Sequence, residues 1–188
     1  MKKVLVTAFE PFLDHVSNSS MAVLNRLTDD KDIKTFLLPV SYKKARFGLI
    51  DAIDKLKPDY ILALGMAYGA KAIRVEKLGI NYQYSKVLDN DGVLKLGEKI
   101  DLGLDAIFTK FDENEILKIL EEHHIKAELS LSAGGYVCNT VYYTALEGTS
   151  GKSLFIHLPE EREDFSLDMM EEAVKRVIDY LKNVEITL

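Results

Sequence analysis

The sequence predicts an α/β fold, a three-layer α/β/α sandwich around a mostly parallel (mixed) central sheet. Three observations predict it. Apolar runs alternate with helix-patterned segments along the 188 residues, the order that gives a sheet with helices on both faces. The apolar runs at Lys3 to Ala8 and Tyr60 to Leu64 are continuous rather than alternating, which marks strands buried on both sides. The helical segments place apolar residues three and four apart, as helices packed on a core do. The length points to one domain over 1–188, and 47% hydrophobic residues can supply its core.

In order, Lys3 to Ala8 is the first strand, and Pro11 in Phe9-Glu-Pro-Phe12 stops it. Two aromatics in a loop at a strand's end suit either a pocket lining or simple loop anchoring. Asn18 or Ser19 caps a helix through Leu27. Ile33 to Leu38 is a strand ended by Pro39. Ser41 to Leu56 is a helix, apolar at Ala45, Leu49, Ile53 and Leu56. After the Tyr60 to Leu64 strand comes a loop, Gly65 to Gly69, which lacks a complete phosphate-binding fingerprint. Ala72 to Ile80 reads as one strand. Tyr82 to Phe111 is the least regular stretch, with a strong turn at Asp89-Asn-Asp-Gly92. That turn lacks the rest of a calcium loop, so no metal is expected. Glu113 to Glu122 is a helix, and His123 and His124 at its end suit its dipole. Ala127 to Leu131 is a strand, Asn139 to Leu146 a helix, Lys152 to Leu158 a strand, and Asp164 to Leu181 a long helix. Asn183 to Leu188 forms a short strand or a tail.

Composition excludes several roles. A net charge of −6 argues against the basic face that nucleic-acid phosphates require. The N-terminal apolar run is too short for a membrane span. No signal peptide is in view, and one cysteine cannot form an intrachain disulfide, so the cytoplasm is the expected compartment.

That cysteine lies in Ser132-Ala-Gly-Gly-Tyr-Val-Cys-Asn139. A strand enters this stretch and a helix leaves it, and the two glycines permit the tight path between them. Cys138 therefore falls at or near a helix N-terminus, where free amide groups and the dipole favour a thiolate and can hold an oxyanion. The alternative is a small buried apolar residue. His157, near the end of the next strand in sequence, meets Cys138 if the two strands are neighbours at one sheet edge. Glu76 is read in isolation as a solvated charge on an exposed edge.

Six motifs in order change that reading. Phe9-Glu-Pro-Phe12, Leu38-Pro-Val-Ser41, Val75-Glu76-Lys77 with Asn81, Asp89-Asn-Asp-Gly92, Ala133-Gly-Gly-Tyr-Val-Cys-Asn139 and Phe155-Ile-His-Leu-Pro159 resemble the blocks of the pyroglutamyl peptidase I family of cysteine peptidases. The resemblance runs from Val4 to about Asp168. It implies Cys138 as nucleophile, His157 as general base and Glu76 as the residue that orients the histidine. It also implies a pyroglutamyl pocket lined by Phe9, Phe12, Val87, Tyr136 and Val137. The implied substrates are N-terminally blocked peptides, with no cofactor, and the family often forms homo-oligomers. The chain departs from the family pattern at Leu13-Asp14, where Gly-Gly is usual. Met66 stands for a Gln, Ala70 for an Arg, and Tyr84-Ser85-Lys86 for Asp-Ala-Arg. A cysteine amidase on another small acyl group and a non-catalytic binding or scaffold protein therefore stay open as alternatives.

Overall fold

The computed structural model describes residues 2–12, 17–27 and 31–186. Leu13-Asp14 and the last two residues fall outside that set. The central sheet has six strands. They are β1 (Val4–Phe9), β2 (Ile33–Leu38), β3 (Tyr60–Met66), β4 (Ile73–Glu76), β9 (Ala127–Ser130) and β10 (Ser153–Leu158), in spatial order β2-β1-β3-β10-β4-β9. Neighbours pair in parallel except β10 with β4, which run antiparallel. The sheet is thus mixed and mostly parallel, as the continuous apolar strands predict. β1 and β10 are buried along their whole length.

Each helix begins where a short polar side chain can take up a free backbone N–H. Asn18 caps α1 (Ser19–Leu24), Ser41 caps α2 (Tyr42–Leu56), Asp112 caps α3 (Glu113–Glu122) and Ser166 caps α5 (Leu167–Asn183). The exception is α4 (Val137–Gly148), whose N-cap residue Tyr136 offers no side-chain hydrogen bond. His123 is the C-cap of α3, its Nδ1 bonded to the Ile119 carbonyl oxygen at 2.8 Å. One core, with Val6, Leu62, Val75 and Ile156, packs α1, α3 and α5 on one face. A second, with Leu5, Ala63, Val141 and Phe155, packs α2 and α4 on the other.

Several boundaries differ from the sequence reading: α4 begins two residues before the expected Asn139, so that Cys138 lies inside it, and α5 begins three residues after the expected Asp164. The expected strand Ala72 to Ile80 divides at Lys77 into β4 and β5 (Leu78–Ile80). β5 leaves the main sheet to pair with β8 (Ala106–Phe108), while β6 (Gln83–Tyr84) pairs with β7 (Leu96–Glu98). The helix expected to reach Leu27 ends at Leu24, and no regular structure follows α5 over Val184–Ile186. The Asp89–Gly92 turn holds no cluster of three metal-ligating side chains, nor does any other place among the described residues. Its work is structural. The Asp89 carboxylate accepts from the backbone N–H groups of Tyr42, Asp91 and Val93, and the Ser41 hydroxyl donates to Asp91. Two of the sequence motifs therefore exist to pin each other.

Candidate active site

The site lies on the sheet face covered by α2 and α4. The expectation that Cys138 and His157 sit on adjacent strands at a sheet edge is wrong in its geometry. β4 lies between β9 and β10. It is β4 that brings Glu76 to the histidine. The register pairs Phe155 with Glu76 and His157 with Arg74, so Glu76 is the diagonal neighbour of His157 on the same face. Residues 131–136 then carry the chain from the end of β9 onto that face, where α4 packs against β10 and β3.

Cys138 is the second residue of α4 and is half-buried. Its own N–H is one of those that a helix cannot satisfy internally. Gly134, at φ +83°, makes the turn before it. A Cβ on Gly135 would lie 2.7 Å from the Tyr84 carbonyl oxygen, so only glycine lets this turn approach β6. Asn139 ties the same helix end down. Its amide donates to the carbonyls of Ile80 and Tyr82 and accepts from the Ile80 N–H, all at 2.8 to 2.9 Å.

His157 Nδ1 lies 2.8 Å from Glu76 Oε1. A carboxylate only accepts, so Nδ1 donates to Glu76 and Nε2 is the ring's other hydrogen-bonding atom. Glu76 is 1% exposed and His157 7%, which removes the solvated-edge reading of Glu76. Glu76 Oε2 has no partner among the described residues, so the one ring hydrogen bond answers this carboxylate's charge. Burial by itself lowers the imidazole's pKa. Hydrogen bonds to Cys138 and Glu76, and their charges, outweigh it and raise His157 to about 9. The ring packs on Phe155, with centroids 4.7 Å apart, and Phe155 packs on Tyr142. The Tyr142 hydroxyl in turn donates to the Glu76 carbonyl oxygen at 2.7 Å. Across β10, Gly65 leaves room for both rings: a Cβ there would lie 2.8 Å from Phe155 and 3.0 Å from His157.

Beside Cys138 stands an aromatic group. Tyr136 meets Phe12 at 6.1 Å between centroids and Tyr42 edge-on at 5.5 Å. Phe9 and Val137 are buried in the core beneath, against which Phe12, Tyr136 and Cys138 pack. Val87 is 40% exposed. It joins the group only through its neighbour, since the Tyr136 hydroxyl donates to the Leu88 carbonyl oxygen at 2.8 Å. Met66 ends β3 beside Leu158, Ala70 is buried with its carbonyl oxygen held by Arg162, and Lys86 is exposed. A cleft of about 400 Å³, lined by Lys71, Lys126 and Arg162 among others, contains none of the Cys138, His157 and Glu76 group. Sequence reasoning missed Gly65, Asn139 and Tyr142. For Asn139 the signal was its place next to the cysteine within a motif. For the other two the sequence carries none.

A family model described as pyroglutamyl peptidase matches residues 2–173. The chain belongs to the pyroglutamyl peptidase family. It is 40% identical to pyrrolidone-carboxylate peptidase 1 of Saccharolobus solfataricus over 196 residues, covering 95% of this chain and 93% of that one. Its fold is similar to that of pyrrolidone carboxyl peptidase from Pyrococcus furiosus, with a TM-score of 0.89 and 32% identity over 96% of this chain and 98% of that one. It is also similar to pyroglutamyl peptidase I of Bacillus amyloliquefaciens, with a TM-score of 0.86 and 29% identity over 94% of each chain. The six motifs thus fall in a chain whose family and fold agree.

Proposed function

We propose that this chain is a cysteine peptidase that removes N-terminal pyroglutamyl (5-oxoproline) residues from blocked peptides, with Cys138, His157 and Glu76 as its triad. The observation that carries the reading is the buried Glu76–His157 pair, 2.8 Å apart, beside a cysteine at a helix N-terminus that helps raise the imidazole's pKa. Glu76 fixes the tautomer and stabilises the imidazolium. His157 holds the proton the sulfur gives up, and the Cys138 sulfur attacks the pyroglutamyl carbonyl outside the lactam ring. The Cys138 N–H, left open by the uncapped helix, faces the developing oxyanion. His157 returns the proton to the leaving amine, the C–N bond breaks, and water hydrolyses the thioester. A blocked residue brings no ammonium, so the aromatic group of Phe12 and Tyr136, with Phe9 and Val137 beneath and Val87 at the rim, suits its ring. No cofactor enters this chemistry.

We place the whole chain, 1–188, in one domain working in the cytoplasm. Its lone cysteine suits a reducing compartment, and among the described residues no helix is long and apolar enough to cross a membrane. Exposed apolar side chains at Leu102, Leu104 and Phe108 suit a homo-oligomer.

A second reading, an amidase on another small acyl group, is favoured by Met66, Ala70 and Lys86. The test is a panel of aminomethylcoumarin amides with pyroglutamyl, prolyl and short N-acyl groups. Release from the pyroglutamyl amide alone is expected. Faster release from another acyl group would establish the amidase.

A further inference from the structure

The sheet face is asymmetric about His157. Toward β3 and β1 lies the aromatic group beneath α2 and α4. Toward β4 and β9 the face carries Arg74 and Glu128, whose side chains are 42% and 53% exposed. The helix packed on β9 is α3, whose core residues Ile116 and Leu120 cluster with Ile73 and Val75 on the opposite face. Arg74 stands directly opposite His157 in the antiparallel ladder, and Glu128 directly opposite Arg74 in the parallel one. Such facing residues share a face with Cβ atoms about 5 Å apart. A cation is therefore fixed one strand away from the proposed general base.

Glu128 accepts from Arg74 Nε at 3.1 Å. The bond uses one edge of the guanidinium. Its terminal nitrogens make no hydrogen bond to any described residue, and they form the fork that grips a carboxylate.

The direction of the substrate supplies the anion. If the acyl ring sits against Phe12 and Tyr136, the peptide that leaves begins at His157, which protonates its nitrogen. It then continues away from the ring, over β4. Strands lie about 4.8 Å apart and an extended peptide advances about 3.3 Å per residue. The first or second residue of the leaving peptide thus reaches Arg74.

We propose that Arg74, balanced by Glu128, binds a carboxylate on the leaving peptide close to the scissile bond. That carboxylate is either the C-terminus of a pyroglutamyl dipeptide or an acidic side chain in the first leaving positions. The proposal rests on the pyroglutamyl reading above.

The test is kcat/KM for two matched pairs of substrates. The first pair is pyroglutamyl-alanine and its C-terminal amide. The second is pyroglutamyl-aspartyl amide and pyroglutamyl-asparaginyl amide. The wild type is expected to favour the carboxylate member about fivefold in at least one pair, the scale of a half-exposed ion pair, and the preference should shrink in high salt. The pair that shows it identifies the source of the carboxylate. Arg74→Gln should bring the ratio to about one, Arg74→Lys should retain part of it, and Glu128→Gln should widen it. Equal rates within both pairs for the wild type, or a ratio that survives Arg74→Gln, would overturn the proposal. So would a loss in Arg74→Gln that falls equally on both members, since that marks a positioning role. If the wild type cleaves no pyroglutamyl peptide, the underlying reading fails and this one falls with it. Brisk cleavage without preference refutes this one alone.

Discussion

Glu76→Gln removes one charge and almost no volume. At 2.8 Å two unit charges in an effective dielectric of 20 attract by about 6 kcal/mol before desolvation is counted. The net effect on the imidazole is smaller. Raising it from 6.5 to about 9 corresponds to on the order of 3 kcal/mol, what remains of the Cys138 and Glu76 contributions after burial has opposed them. The amide oxygen of Gln still accepts from Nδ1 but no longer supplies the charge. Burial, which opposes the imidazolium, then gains ground, and His157 should fall by roughly one to two pKa units. NMR titration of the ring protons reads this directly. The sequence has four histidines, and a His157→Asn spectrum assigns the one that matters. Loss of imidazolium stabilisation should lower kcat/KM by roughly 10²-fold or more. An imidazole that still titrates near 9 in Glu76→Gln, with kcat/KM within about twofold of wild type, would refute the role given to Glu76.

Three more outcomes follow from the same geometry. Gly65→Ala should cost roughly 1–3 kcal/mol in denaturant unfolding and lower kcat about tenfold, because the added carbon pushes on the Phe155 and His157 rings; unchanged kcat would contradict the packing described. Tyr136→Phe removes the bond to the Leu88 carbonyl, a loss of about 1 kcal/mol, and steady-state kinetics should show KM rising about fivefold with kcat nearly constant. The folded-state pKa of His157 is raised, so its contribution to stability is complete below pH 6.5 and is lost as pH climbs through about 9; the gap in Tm between wild type and His157→Gln should narrow over that range, and a constant or widening gap would reverse the sign.

What the sequence made legible was local or repetitive. Continuous apolar runs gave β1, β3 and β10 to within two residues at either end. Asn18, one of two cap candidates with Ser19, announced its helix because capping needs only a neighbouring N–H. The antiparallel β4 was hidden. Its alternation of Ile73 and Val75 shifts phase at Lys77 to Leu78 and Ile80, and at that residue the chain passes from one sheet to another. Glu76 looked exposed because carboxylates are rarely buried, and its burial depends on an imidazole 81 positions away. The family resemblance, not periodicity, singled it out. Asn139 and Tyr142 act on backbone groups more than 50 residues distant, and Gly65 serves rings in another strand. Such roles exist only after the chain has folded.

The central claim is that Cys138 performs the cleavage. The most direct measurement is hydrolysis of pyroglutamyl-aminomethylcoumarin by reduced, folded wild type beside Cys138→Ala. The account predicts steady release by the wild type and none above the uncatalysed rate by the variant. Release that persists in Cys138→Ala would contradict the triad, and none from the wild type would contradict the proposed activity itself.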